Sequence, residues 1–66
     1  MKVIINGSEA ETAEGTTVEG LLKEFGLKPA VTVVEINGVI LNRGEFGSVK
    51  VKKGDRIELI RFVGGG

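Results

Sequence analysis

The sequence contains a single segment with helical periodicity, set among short runs of β-branched residues. Four apolar residues recur at i, i+3, i+4 and i+7 and therefore share one helical face: Val18, Leu21, Leu22 and Phe25. Thr17 precedes them as a suitable N-cap, and Gly26 and Pro29 follow as stop signals. One amphipathic helix must cover its apolar face against another element, so the strands are expected to form a sheet beneath it.

Two Asn-Gly pairs, Asn6-Gly7 and Asn37-Gly38, divide the β-branched runs. Such pairs accept positive φ and are a strong short-range signal for a hairpin turn. We predict that residues 8–13 return along residues 2–5 as a charged edge strand, and that residues 39–41 return along residues 31–36. Residues 49–51 are predicted to form a further short strand, and residues 56–63 the last one.

The predicted order is hairpin, helix and then further strands, of which the last is long and rich in Ile and Leu. We place this last strand in the sheet centre, beside the first strand and parallel to it. The predicted fold is therefore α+β, of the β-grasp (ubiquitin-like) type, with a mixed four- to five-stranded sheet and one packed helix. Residues 1–63 are assigned to this domain, and residues 64–66 to a flexible C-terminal glycine tail.

Composition excludes several classes of function for this chain of 66 residues. It has no Cys and no His, so disulfides, the common zinc sites and an imidazole base are ruled out. Nine basic and nine acidic residues balance, which does not support nucleic-acid binding. No apolar run approaches the ~20 residues that span a bilayer, and no signal peptide is visible. We predict a cytoplasmic protein that is not an enzyme and binds no metal, cofactor or membrane.

The last strand is expected to present different residues on its two faces. If Ile57 and Leu59 face the helix, the two-residue period places Glu58, Ile60 and Phe62 on the opposite face. A sheet with one helix leaves that face open to solvent. We therefore predict that Ile60 and Phe62 form a partner-binding patch. Phe46, in a polar loop, is instead predicted to anchor the core.

The three glycines that follow this strand suit a segment that enters a narrow active site. Glycine has no Cβ, so its backbone can lie close to an enzyme wall and adopt unusual dihedral angles. A terminal carboxylate is ionised at neutral pH and becomes a good electrophile only after activation by a nucleotide. Ordering three residues opposes binding by roughly 3–6 kcal/mol. We therefore predict that the folded body must add affinity, with partner binding through Ile60, Phe62, Val63, Gly64 and Gly65.

Several motifs distributed along the chain carry a family resemblance. They are the helix entry Gly15-Thr16-Thr17-Val18, the Asn37-Gly38 turn, the segment at residues 54–59, and the ending Phe62-Val63-Gly64-Gly65-Gly66. With these motifs, essentially the whole chain resembles the ubiquitin-like sulfur carrier proteins of the ThiS family, which serve thiamine biosynthesis.

The resemblance implies a role for the last residue. The Gly66 carboxylate would be adenylated with ATP by a ThiF-type adenylyltransferase and converted to a thiocarboxylate, with a cysteine desulfurase as the ultimate sulfur donor. The thiocarboxylate would then pass its sulfur to thiazole synthase (ThiG). The chain would be a protein cosubstrate and not a catalyst, and ATP would be consumed by the activating enzyme.

Three alternatives remain open at this point. The small subunit of molybdopterin synthase, of the MoaD type, ends in the same diglycine and uses the same thiocarboxylate, although such chains are typically longer. A ubiquitin-like protein modifier would be conjugated through Gly66 to lysine side chains. A non-covalent β-grasp interaction module would leave the tail idle.

Overall fold

The computed structural model describes residues 1–62. Val63 to Gly66, and with them the predicted domain boundary between residues 63 and 64, lie outside the described part of the chain. The described elements are β1 (Lys2–Ile5), β2 (Ser8–Glu11), α1 (Val18–Glu24), a 3-10 turn (Pro29–Val31), β3 (Thr32–Ile36), β4 (Val39–Ile40), a second 3-10 turn (Arg43–Glu45) and β5 (Arg56–Arg61).

The strands form one mixed sheet in the order β2-β1-β5-β3-β4. β5 lies at the centre and runs parallel to β1, with Ile5 beside Ile57. On its other side β5 is antiparallel to β3, from the Ile36–Ile57 pair to the Thr32–Arg61 pair. The prediction of a β-grasp sheet with a central last strand is confirmed.

Both Asn-Gly pairs form the predicted turns. Asn6 and Gly7 have φ values of 50° and 84°, and Asn37 and Gly38 have values of 51° and 87°. Two consecutive residues with positive φ define the turn whose twist matches that of the flanking strands, and Asn and Gly tolerate this conformation best. The turns fix the registers of β1 with β2 and of β3 with β4.

The helix begins and ends at the predicted signals. The Oγ1 atom of Thr17 accepts a hydrogen bond from the backbone N–H of Gly20 at 3.1 Å. At the other end Gly26 has a φ of 68°, and its N–H donates to the carbonyl of Lys23. The N–H of Leu27 donates to the carbonyl of Leu22, which completes a Schellman motif.

The prediction that Phe25 lies on the packed face of the helix is wrong, because its side chain is 47% exposed. The helix has only seven residues and ends at Glu24, so Phe25 is its C-cap, with a ψ of 1°. The helical spacing no longer applies at this position. The chain then turns at Gly26, and Leu27 packs partly against the core instead.

The core lies between α1 and one face of the sheet. Val18, Leu21 and Leu22 of the helix are fully buried against apolar side chains of the central strands. Phe46 is also buried, which confirms its prediction as a core anchor. Among residues 1–62 the buried apolar side chains are Val3, Ile5, Val18, Leu21, Leu22, Val34, Phe46, Val51, Ile57 and Leu59.

The predicted short strand at residues 49–51 does not form. This segment instead contacts the entry to the helix, where Lys50 makes a single antiparallel bridge with Thr17. The N–H of Val18 donates to the carbonyl of Val49, and the N–H of Val51 donates to the carbonyl of Thr16. Because Thr17 begins the helix, the pairing cannot extend. The alternation of Val49 and Val51 therefore places both against the core without making a strand.

Candidate functional site

The face of the sheet opposite the helix carries the candidate site. Side chains alternate along each strand and directly paired residues share a face, so the register defines the members of this surface. We call it the open face. Its members are Lys2, Ile4, Glu9, Glu11, Val33, Glu35, Ile40, Arg56, Glu58, Ile60 and Phe62.

The strand faces of β5 are as predicted from the alternation of its residues. Ile57 and Leu59 are buried toward the helix, whereas Ile60 is 52% exposed and Phe62 is 58% exposed. We call Ile60 and Phe62 the docking patch. Their exposure is confirmed, and their contact with a partner stays a prediction.

The docking patch is held by hydrogen bonds that β5 makes with the neighbouring strand and turn. Ile60 lies directly opposite Val33 of β3, which adds apolar surface beside the patch. The N–H of Phe62 donates to the carbonyl of Val31 at 2.6 Å, one step beyond the end of β5. The backbone that leads to the tail is therefore in register with its neighbour up to the last described residue.

The middle of the open face is acidic. Glu35 of β3 and Glu58 of β5 are direct cross-strand partners. Within residues 1–62 the salt bridges are those of Glu11 with the N-terminus and Glu9 with Lys2, so neither Glu35 nor Glu58 has one. Like charges placed directly opposite each other destabilise a sheet. Along the open face of β5, Arg56 thus lies at the start, Glu58 opposite Glu35 in the middle, and the apolar docking patch at the end that leads to the tail.

We expect the substitution Glu58→Gln to stabilise the free protein. Glutamine keeps the size of the side chain and removes the repulsion from Glu35, for a gain of a few tenths to about 1 kcal/mol in the free energy of unfolding. Urea unfolding at low ionic strength measures the gain, which should shrink in high salt. Glu14→Gln makes the same charge change in an exposed turn and should have little effect. An equal gain in both variants would refute the pairwise repulsion.

The structure also shows a contact of Asn6 that the sequence analysis missed. Beyond defining its turn, the Asn6 side chain reaches the central strand. Its Oδ1 accepts a hydrogen bond from the N–H of Leu59 at 2.8 Å, and its Nδ2 donates to the carbonyl of Leu59 at 3.3 Å. The partners are 53 residues apart in sequence, so no local pattern could have indicated this contact.

Asn37, in the other Asn-Gly turn, contacts the opposite end of β5. Its Oδ1 accepts a hydrogen bond from the N–H of Arg56 at 3.0 Å, and its Nδ2 donates to Oδ1 of Asp55 at 3.1 Å. Asn37 therefore contacts the central strand near its start, and Asn6 contacts it near its end. The Asn-Gly pairs predict both turns, but they do not indicate that the asparagine side chains also bond to β5.

The remaining predicted site residues, Val63, Gly64, Gly65 and Gly66, lie outside the described residues, and their roles stay predictions. The structure places Phe62 directly before them, after the end of the central strand. Across residues 1–62 there is no group of three or more Asp, Glu, His or Cys side chains that could hold a metal ion. No helix in that same range is long and apolar enough to cross a membrane.

The chain is similar to known proteins both in sequence and in structure. The model of the ThiS family matches residues 3–66. The sulfur carrier protein ThiS of Bacillus subtilis is 32% identical over 63 residues, a match that covers 94% of this chain and 96% of that protein. The crystal structure of the thiamine biosynthesis protein ThiS from Geobacter metallireducens superposes with a TM-score of 0.86, at 35% identity and with full coverage of both chains.

A longer relative matches the chain as well. A thiazole synthase of Magnetococcus marinus is 41% identical over 66 residues, a match that covers 100% of this chain and 20% of that protein. The chain thus spans about a fifth of the length of this relative.

Proposed function

The chain belongs to the ThiS family, and from that membership we propose that it carries sulfur as a thiocarboxylate on Gly66 for the thiazole ring of thiamine. One observation supports this role above the others. An exposed apolar patch, Ile60 and Phe62, lies at the end of the central strand, and only Val63 separates it from the three glycines. Such a carrier needs two parts. One is a folded body that binds the partner, and the other is a reactive tail without side chains that can enter the partner's active site. The chain is a carrier and not a catalyst.

The first proposed step is adenylation of Gly66. A carboxylate oxygen attacks the α-phosphorus of ATP, the bond from that phosphorus to its bridging oxygen breaks, and pyrophosphate leaves. The product is an acyl-adenylate, whose acyl carbon is now a good electrophile. A ThiF-type adenylyltransferase holds the ATP and performs this step. The glycines allow the backbone to pass through a narrow channel, because they have no Cβ to clash with its walls.

The second proposed step loads the sulfur. A cysteine desulfurase supplies the sulfur as a protein-bound persulfide, whose terminal sulfur attacks the acyl carbon, and AMP leaves with the electron pair of the broken carbon–oxygen bond. A thiol of the sulfur relay then attacks the relay protein's sulfur in the resulting acyl disulfide, which releases the thiocarboxylate and leaves the two relay sulfurs joined as a disulfide. The thiocarboxylate that remains is the form that delivers sulfur. We place these steps in the cytoplasm, where ATP and the reduced thiols of the sulfur relay are both present.

The docking patch is proposed to offset the cost of ordering the tail. Fixing three glycines opposes binding by roughly 3–6 kcal/mol, and backbone hydrogen bonds along an extended segment return only part of this. Complete burial of a fully exposed large apolar side chain contributes about 1.5–3 kcal/mol. Because Ile60 and Phe62 are 52% and 58% exposed, burial of both together contributes about that amount. The body and the tail therefore both contribute to binding, and we expect the body to bind more weakly without the complete tail.

Thiazole synthase is the proposed acceptor of the sulfur. A relative named thiazole synthase contains a match to the whole of this chain within a protein about five times as long. A carrier domain and the enzyme that consumes its sulfur are natural parts of one polypeptide, because covalent linkage raises the effective concentration of one at the other. We propose that this chain meets the same kind of enzyme as a partner.

Reconstitution tests the proposed function. The chain is incubated with a ThiF-type adenylyltransferase and ATP, and chain-dependent exchange between pyrophosphate and ATP is measured. Exchange that requires the chain supports the proposal, and no exchange contradicts it. Loaded carrier is then offered to thiazole synthase and, in parallel, to the large subunit of molybdopterin synthase. Sulfur transfer to the latter alone would favour the MoaD-type alternative, and isopeptide conjugates with lysine would favour a protein modifier.

A further inference from the structure

We infer that Asn6 is a positioning residue for the adenylation of Gly66, because its carboxamide holds the end of the central strand that leads to the tail. The inference rests on the proposed function. It concerns a side chain in the first turn, far from the tail in sequence but bonded to β5 close to where that strand ends.

The geometry of the parallel ladder shows what Asn6 does. β1 ends at Ile5, and the N–H of Asn6 donates to the carbonyl of Ile57. The next residue of β5 whose backbone points toward β1 is Leu59, and β1 has by then turned away into the hairpin. Both backbone groups of Leu59 bond instead to the carboxamide of Asn6, at 2.8 and 3.3 Å. The side chain thus adds one rung to the ladder where the backbone of β1 no longer can.

This rung bears directly on the docking patch. On the β3 side, β5 is held as far as Phe62, through the bond to Val31. On the β1 side, the contact with Asn6 is the last hydrogen bond to β5 in the part of the chain that the structure describes. Without it, the last hydrogen bond on the β1 side would be the one at Ile57, and β5 beyond that residue would be held along its β3 edge only. Only Val63 separates residues 60–62 from the tail, so a change in their position would displace the point at which the tail begins.

The chemistry of the side chain suits this task. Leu59 presents one donor and one acceptor, and a carboxamide supplies one acceptor and two donors on a single planar group. Aspartate would keep the acceptor and place a second oxygen against the carbonyl of Leu59. Glycine would keep the positive φ of 50° that the turn requires and remove the rung entirely. Asn6→Gly therefore tests the hydrogen bonds to Leu59 without disturbing the turn, and Asn6→Asp tests the loss of the donor alone.

The test compares Asn6→Gly and Asn6→Asp with Asn37→Gly as the matched control. Asn37 has the same turn conformation and also bonds the backbone of β5, but at Arg56, near the start of the strand. Folding of each variant is checked by circular dichroism and thermal unfolding. Amide hydrogen exchange at Leu59 and Arg56 reports which rung has been lost. Adenylation is measured with the adenylyltransferase and ATP at 25 °C over a range of carrier concentrations, which separates the saturating rate from the half-saturating concentration.

We expect Asn6→Gly to lower the saturating rate about tenfold, because small misplacements of a reacting group reduce rates strongly. Asn6→Asp should be intermediate, and Asn37→Gly should keep the wild-type rate despite a similar loss of thermal stability. The inference is overturned if both glycine variants react at the same saturating rate, or if Asn6→Gly changes only the half-saturating concentration. If the wild-type chain itself is not adenylated, the proposed function fails and this inference fails with it.

Discussion

Removal of Gly65 and Gly66 is expected to abolish adenylation and leave the fold intact. The buried apolar side chains of the described structure all lie between Val3 and Leu59, so the truncation removes no core contact. It moves the terminal carboxylate back by two residues, about 7 Å along an extended chain, and out of reach of the α-phosphorus of ATP. Circular dichroism and thermal unfolding should match the full chain, while pyrophosphate exchange should fall to the background rate.

Competition provides the control for this truncation. The shortened chain keeps the docking patch, so it should still occupy the adenylyltransferase and inhibit exchange by the full chain at sufficient concentration. Inhibition would show that the body docks without the reactive end. Exchange by the truncated chain at the rate of the full chain would contradict the proposed role of Gly66.

The substitution Phe62→Ala is expected to weaken binding to the adenylyltransferase far more than it lowers stability. Phe62 is 58% exposed in the free protein, so its removal should change the free energy of unfolding by about 0.5 kcal/mol or less. Aromatic anchors at the centre of an interface commonly contribute about 2 kcal/mol or more, which corresponds to roughly thirtyfold in affinity. Calorimetric titration and urea unfolding measure the two quantities on the same samples.

Phe25→Ala is the matched control for this prediction. Phe25 is an exposed phenylalanine of similar accessibility, but it caps the helix on the other side of the sheet. Its replacement removes the same apolar area and should leave the affinity unchanged. Equal losses of affinity in the two variants would show that the open face is not the docking surface. A large fall in melting temperature for Phe62→Ala would show that its exposed side chain supports the fold.

The sheet was predictable from sequence because its signals are local. Each Asn-Gly pair requires two residues with positive φ, and this requirement fixes both the turn and the register of the strands beside it. The alternation in β5 then assigned Ile57 and Leu59 to the core and Ile60 and Phe62 to solvent. These inferences need only the neighbours of each residue along the chain and a single buried face.

The incorrect predictions concern positions where tertiary structure decides between local alternatives. The helical spacing includes Phe25, but the helix ends at Glu24. The spacing therefore does not predict the direction of the Phe25 side chain. Residues 49–51 alternate as a strand would, yet their hydrogen-bonding partner is the short segment before the helix. An apolar pattern predicts which side chains are buried and does not identify the backbone that pairs with them.

The candidate site was predictable only in part, for a related reason. Exposure of the docking patch follows from alternation, but the opposition of Glu35 and Glu58 requires the register between β3 and β5, two strands that no short turn connects. The parallel pairing of β1 with β5 was predicted, but the contact between Asn6 and Leu59 also requires the register of that pairing. Interactions between distant segments become visible once the sheet has been assembled.

The proposed function is tested most directly by intact-protein mass spectrometry of the chain purified from cells that are making thiamine. We predict a fraction of molecules heavier by one oxygen-to-sulfur replacement, with fragmentation placing the change on Gly66. This fraction should disappear in cells that lack the adenylyltransferase. A chain whose mass never shows the replacement, or one found only as isopeptide conjugates with other proteins, would contradict the assignment as a sulfur carrier.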